Sequence, residues 1–175
     1  MASKIKVDSL ETADGTGTIA LSNQFTGMTS ASMPAGSVLQ VLSNTFTATT
    51  ATTSTSFVAT GLFIDITPTS TNSKIYVSLS GGGAYNGTAA QTSQYVTIYR
   101  DSTNLGHGTY GLSRFSTAGS SWSLAPHSAE VLDSPSSTAV QKYQVYFKNW
   151  GTAASVQFNA SDRGWPTLTV MEIAG

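Results

Sequence analysis

The sequence predicts an all-β chain: a short extended N-terminal arm over residues 1–35, then an antiparallel β-sandwich of jelly-roll type over residues 36–175. Three observations point there. Apolar residues fall in short alternating runs rich in Val, Ile, Tyr and Phe; Gly, Ser, Thr, Asn and Pro clusters separate those runs; and no stretch carries the period of a helix three turns long. With 39% apolar residues, including seven Tyr, seven Phe and three Trp, the chain has enough buryable surface to fold despite its low charge.

In the arm, Ile5 and Val7 share one face of an extended segment and Lys4, Lys6 and Asp8 the other. Asp14-Gly15-Thr16-Gly17 signals a turn, and Thr18-Ile19-Ala20-Leu21 resumes the alternation, which makes a small ribbon. A lone ribbon is marginal in water. Its apolar residues Ile5, Val7, Leu10, Ile19, Leu21 and Phe25 therefore need a neighbour, either two further copies about a shared axis or another protein. Thr26 to Ala35, with Gly27, Ser30, Ser32 and Pro34, reads as a linker.

From Gly36 onward, Ser37–Leu42 opens the head, and a hydroxyl-rich run from Thr45 to Thr55 leads to Ser56–Thr60. Gly61 separates that segment from Leu62–Thr67, and Pro68–Asn72 turns the chain into Lys74–Leu79, which Gly81-Gly82-Gly83 ends. Gln94–Arg100 turns at Asp101–Asn104 and returns through Leu105–Gly108 as a hairpin. Later strands are expected at Trp122–Leu124, Ala129–Leu132, Gln141–Lys148, Ser155–Asn159 and Thr167–Ile173. The last is apolar on both faces, as in a central strand or one that meets another chain.

Composition excludes several functions. Only 10% of residues are charged and the net charge is −1, so nothing drives binding to a phosphate backbone, and nucleic acid is not an expected partner. The longest apolar runs are a few residues, too short for membrane insertion, and the N-terminus lacks the apolar region of a secretory leader. There are no cysteines, hence no disulfide framework and no thiolate chemistry.

Catalysis also lacks its parts. The head has six acids, and each is expected to be solvated, ion-paired or in a turn: Asp65, Asp101, Glu130, Asp133 (capping a loop), Asp162 beside Arg163, and Glu172. His107 and His127 stand in no metal-binding spacing, and a strand puts His127, Ser128 and Glu130 on alternating faces rather than in a triad. Neither enzymatic activity, nor a metal, nor a cofactor is expected. Binding is better served. Three segments put large amphipathic side chains in Gly/Ser-rich loops: Tyr85 and Asn86; His107, Tyr110, Arg114, Phe115 and Trp122; and Trp150, Arg163 and Trp165. Aromatic faces stack on sugar rings while Asn, Arg and His supply directed hydrogen bonds, so Tyr85, Asn86, His107, Tyr110, Arg114 and Trp122 are the candidates for contact with a glycan or protein. Trp150 and Trp165 flank strands and are expected in the core or between subunits.

The opening K-I-K-V-D-S-L-E-T-A-D-G-T-G-T-I-A-L-S-N, the Met/Ser/Thr linker and A-G-S-V-L-Q-V resemble the N-terminal arm of tail-fibre-like virion proteins of marine bacteriophages, cyanophages among them. The segments F-V-A-T-G-L-F-I-D-I-T-P-T-S-T-N-S-K-I-Y-V, V-T-I-Y-R-D-S-T-N-L-G, V-L-D-S-P and L-T-V-M-E-I are similar to their C-terminal β-sandwich. The resemblance implies a homotrimeric virion fibre, its arm attached to other tail or capsid proteins and its head presented to a host cell-surface glycan or protein. The linker here is short where many such fibres have a long shaft. A capsid or tail decoration protein that stabilises the particle is the alternative, and a glycan-degrading spike a more distant one.

Overall fold

Alternation of apolar and polar side chains lays the head out as strands, and the computed structural model describes it over residues 33–86, 93–116, 123–151, 155–160 and 164–175. The arm residues Ile5, Val7, Leu10, Ile19, Leu21 and Phe25, together with Trp122, Asp162 and Arg163, lie outside the described residues. Within them the strands are β1 (Val38–Thr45), β2 (Thr50–Thr52), β3 (Val58–Ile66), β4 (Lys74–Asn86), β5 (Ser93–Arg100), β6 (Thr103–Asn104), β7 (Ser113–Ser116), β8 (Ser123–Asp133), β9 (Gln141–Asn149), β10 (Val156–Phe158) and β11 (Thr167–Ile173).

All pairings are antiparallel and make two sheets. In the first, the order across the sheet is β1-β11-β4-β8, with β10 and β2 extending it beside the far half of β4. In the second it is β3-β9-β5, and β6 and β7 share the outer edge of β5. Early strands thus pair with late ones in nested fashion, β1 with β11, β3 with β9, β4 with β8 and β5 with β7, which is one long hairpin rolled into a sandwich. That nesting is the jelly roll expected from the sequence.

Every second residue of each long strand points between the sheets. Leu62, Ile64 and Ile66 of β3, Val96 and Ile98 of β5, and Tyr143, Val145 and Phe147 of β9 meet Ile75, Val77 and Leu79 of β4 and Leu168 and Val170 of β11 in one buried core. Each such side chain contributes roughly 1.5–3 kcal/mol by leaving water. β11 lies between β1 and β4, the central position that its two-faced apolar pattern predicts.

Two expected strand breaks are bulges instead. Gly61 lies inside β3, where the register to β9 shifts between Ala59 and Phe63 and the Thr60 hydroxyl fills the gap by donating to the Val145 carbonyl at 2.9 Å. The triple glycine lies inside β4, with Gly81 and Gly82 at φ of 89° and 74° and a register shift between Gly81 and Gly83. A side chain there would also meet the Trp165 carbonyl and the Pro166 ring at 3.0–3.2 Å, so glycine lets β4 turn from β11 toward β10 without ending. Likewise the two strands expected around residues 122–132 are one, β8, since Pro126 and His127 fit opposite the β4 bulge.

The acids are only partly as expected. Asp65 is exposed and Asp101 sits in the β5–β6 turn. Glu172 is fully buried, pointing inward from β11, neither solvated nor ion-paired. Its carboxylate accepts hydrogen bonds from Gln40 Nε2 (2.5 Å), Thr69 N (2.7 Å), Thr69 Oγ1 (2.8 Å) and Ser73 Oγ (2.6 Å). Burial alone raises its pKa, but those four donors outweigh burial and hold it below the usual carboxylate range. Asp133 is ion-paired, as expected, but with a strand residue rather than as a loop cap: it ties the two sheets together, accepting from Arg100 Nη1 at 2.6 and 2.8 Å and from the Tyr143 hydroxyl at 2.7 Å. Burial, and then the Asp133 bond and charge, push the Tyr143 phenol up.

Candidate functional site

The outward face of the second sheet is covered by its own aromatic residues. Register places Lys148 of β9, Tyr95 of β5 and Arg114 of β7 side by side in one row. The Arg114 guanidinium lies 5.5 Å and the Lys148 ammonium 5.6 Å from the Tyr95 ring centroid, and the same ammonium is 4.8 Å from that of Phe57. Above this row stand Tyr110 and Trp150, whose centroids are 6.0 and 5.8 Å from that of Tyr95. Their own rings are nearly parallel, at 19° and 6.4 Å, and His107 stacks on Tyr110 at 5.0 Å. Tyr95 is 1% exposed, whereas Tyr110 is 51% and Trp150 54% exposed. A sealed lower ring thus supports two open upper ones.

Local backbone chemistry fixes this arrangement. The segment between β6 and β7 climbs along β5, with Leu105 N donating to Ile98 O at 3.0 Å and Leu112 N to Val96 O at 2.8 Å. Between those anchors, His107 and Gly111 exchange backbone bonds of 2.7 and 3.2 Å, and His107 Nδ1 accepts from Thr109 N and Tyr110 N, both at 3.1 Å. His107 therefore stiffens the turn that carries Tyr110. Gly111 has φ +66°, and an added Cβ would stand 2.4 Å from Val96 O, so only glycine passes so near β5. On the other side, Trp150 N donates to Ser93 O at 2.9 Å, which holds the tryptophan over the sheet. Arg114 Nη2 donates to Ser93 Oγ and Ser116 Oγ, each at 3.3 Å.

Of the six contact candidates, the structure brings together His107, Tyr110 and Arg114. Arg114 is on strand β7, not in a loop, and Tyr85 and Asn86 occupy the last two positions of β4 rather than a loop. Trp122 lies outside the described residues. Trp150 joins the cluster from beyond β9, and Trp165 is 62% exposed, so neither tryptophan takes the first of its two expected places, the core, and exposure of both is compatible with the second, a contact between subunits. The residues that sequence reasoning missed are Tyr95, Lys148 and Phe57. Tyr95 and Lys148 alternate outward from strands that were recognised, and nothing in a period-two pattern says that an outward face will be roofed.

The other histidine belongs to the interior. His127 of β8 lies between Ser113 Oγ, 3.0 Å from Nδ1, and Gln94 Oε1, 3.1 Å from Nε2. Gln94 Nε2 donates to Gln157 O at 3.0 Å, which turns its carbonyl oxygen toward the imidazole, so the imidazole donates from Nε2 and accepts the Ser113 hydroxyl at Nδ1. Burial lowers its pKa from 6.5 to about 4. This chain of bonds joins the two sheets and leaves the imidazole no open face to a cleft. Among the described residues, no group of three or more His, Asp or Glu could hold a metal ion.

No protein-family model matches this chain, and no curated protein matches it. Among solved structures, a chain in the structure of infectious bursal disease virus, Gx strain, is similar to it over 81% of its length, with 9% sequence identity and a TM-score of 0.30. The present chain spans 36% of that one.

Proposed function

We propose that this protein is a non-enzymatic bacteriophage virion fibre protein, a homotrimer whose arm attaches to the particle and whose jelly-roll head contacts a host surface glycan. The observation that carries the reading is the pair of half-exposed, near-parallel rings Tyr110 and Trp150 over Tyr95, whose own ring has two cations against it. Open aromatic faces cost free energy in a protein whose surface is otherwise hydroxyl-rich, and a sugar ring covers such faces while its hydroxyls stay hydrogen-bonded. The arm reading rests on the resemblance and on an apolar set too small to bury itself. The non-enzymatic reading is supported by the structural employment of Asp133 and Glu172, which removes them from general acid–base work.

A decoration protein that reinforces the particle is the second reading, favoured by one feature of the first sheet. Val41, Met171, Tyr76 and Leu132 are cross-strand neighbours in one row on its outer face, and Val41 and Leu132 are each 54% exposed. An apolar band of that kind suits a neighbouring shell protein. Particles lacking this chain separate the two readings: failure to adsorb to host cells with normal heat stability is expected of the fibre, while normal adsorption with genome leakage on heating assigns reinforcement instead. Shortened products after incubating the purified chain with host polysaccharide would overturn the non-enzymatic reading.

A further inference from the structure

We infer that the platform of Tyr110 and Trp150 over Tyr95 takes an acidic sugar, a pyranose whose apolar ring face lies on Tyr110 and Trp150 while its carboxylate or sulfate is drawn to the cations that flank Tyr95, Arg114 and Lys148. This rests on the adhesion reading and specifies its ligand class. Lys148 is only 8% exposed, and among the described residues its ammonium has no hydrogen-bond acceptor and no carboxylate, only the rings of Phe57 and Tyr95. It nonetheless reaches water, since Asn159 Oδ1 is the one described side-chain polar atom both sealed and unpartnered. A cation so largely drawn out of water, whose partners among the described residues are π faces, gains from an incoming anion. Arg114 uses one nitrogen for its two serine bonds, and among the described residues its other donors are open for a carboxylate or sulfate.

The described carboxylates lie elsewhere. Asp65, Asp101, Asp133 and Glu172 are at the opposite end of the sandwich, beside Lys142, Arg100, Tyr143 and the start of β4, and Glu130 is on the outer face of the other sheet. A chain of net charge −1 therefore gathers Arg114 and Lys148 with no described acid between them. A neutral sugar would cover the rings and leave both cations unanswered. A nucleic-acid strand would offer phosphates to only two cations, too few for the counterion release that drives such binding.

The test is calorimetric titration of the full chain with four probes: oligogalacturonate, its neutral methyl ester, a sulfated galactan oligosaccharide and oligothymidylate. At least one acidic sugar is expected to bind about tenfold more tightly than the ester, and Arg114→Gln and Lys148→Met are each expected to weaken that binding by about tenfold. Tyr110→Ala should weaken acid and ester alike. Which acid binds distinguishes carboxylate from sulfate. Equal binding of acid and ester, acid binding untouched by Arg114→Gln, tighter binding of oligothymidylate, or no binding of either acid overturns the inference. Adsorption of the labelled chain to host cells is followed in parallel: adsorption that persists without acidic-sugar binding overturns the ligand class alone, whereas absent adsorption overturns the adhesion reading with it.

Discussion

Well above pH 6.5 His127 is neutral in both the folded and the unfolded chain, so its burial there carries no proton penalty. Between pH 6.5 and about 4 the unfolded chain binds a proton that the folded one refuses, and stability falls with falling pH across that window; below it the folded state is protonated too and the effect levels off. The full difference amounts to about 3 kcal/mol, and about 2 kcal/mol of it is lost between about pH 7.5 and about pH 5. His127→Gln removes the titrating group, so its urea midpoint should drop less over that range than the wild type's; equal drops would show that His127 does not report its burial. Nothing beside His127 in sequence announces this role, because Ser113 and Gln94 reach it from two other strands. Glu172 is the same case, since its four donors come from Gln40, Thr69 and Ser73, and a glutamate in an alternating strand reads as solvent-facing until the fold supplies partners. Tyr110 and Arg114 were legible for a simpler reason: large amphipathic side chains stand out among Gly and Ser.

At the level of elements, alternation marked the strands, and errors fell where glycine interrupts it. Gly61 and the Gly81–Gly83 run read as stops, yet both are bulges, because a residue that breaks a local pattern can still be spanned by pairing to a distant strand. The four-residue β7 escaped notice because its period is too short to register. The segment between β6 and β7 carries the platform, and its path depends on Gly111 lying against β5. Gly111→Ala is expected to push that segment off Val96, cost roughly 2–4 kcal/mol through strain and the lost Leu112 bond, and unstack Tyr110 from Trp150. Thermal unfolding measures the first effect, and tryptophan emission compared with that of Tyr110→Ala measures the second. Unchanged emission with unchanged stability would mean that this segment tolerates another path.

For the molecule as a whole, the class of fold was readable from strand number and spacing, but the order of strands was not. The pairing of β1 with β11 joins residues more than a hundred positions apart, and no local pattern encodes such a match. Gly36 N donates to Ala174 O at 2.7 Å and Ala174 N to Ser37 O at 2.8 Å, so the head closes on itself at the point where the arm joins. Removing residues 1–35 should therefore leave the thermal transition of the head nearly intact while light scattering reports a monomer in place of a trimer. A trimer that survives the deletion would assign assembly to the head. The arm joins at the end of the sandwich where Val38, Ile173 and Lys74 lie in one row, whereas Tyr95 and Trp150 lie toward the other end. On the adhesion proposal, tension between a particle and a captured cell would thus run lengthwise along β1. Its ladder to β11, in register from Gln40 to Thr45, would be loaded in shear, with all of its bonds resisting together rather than parting one after another.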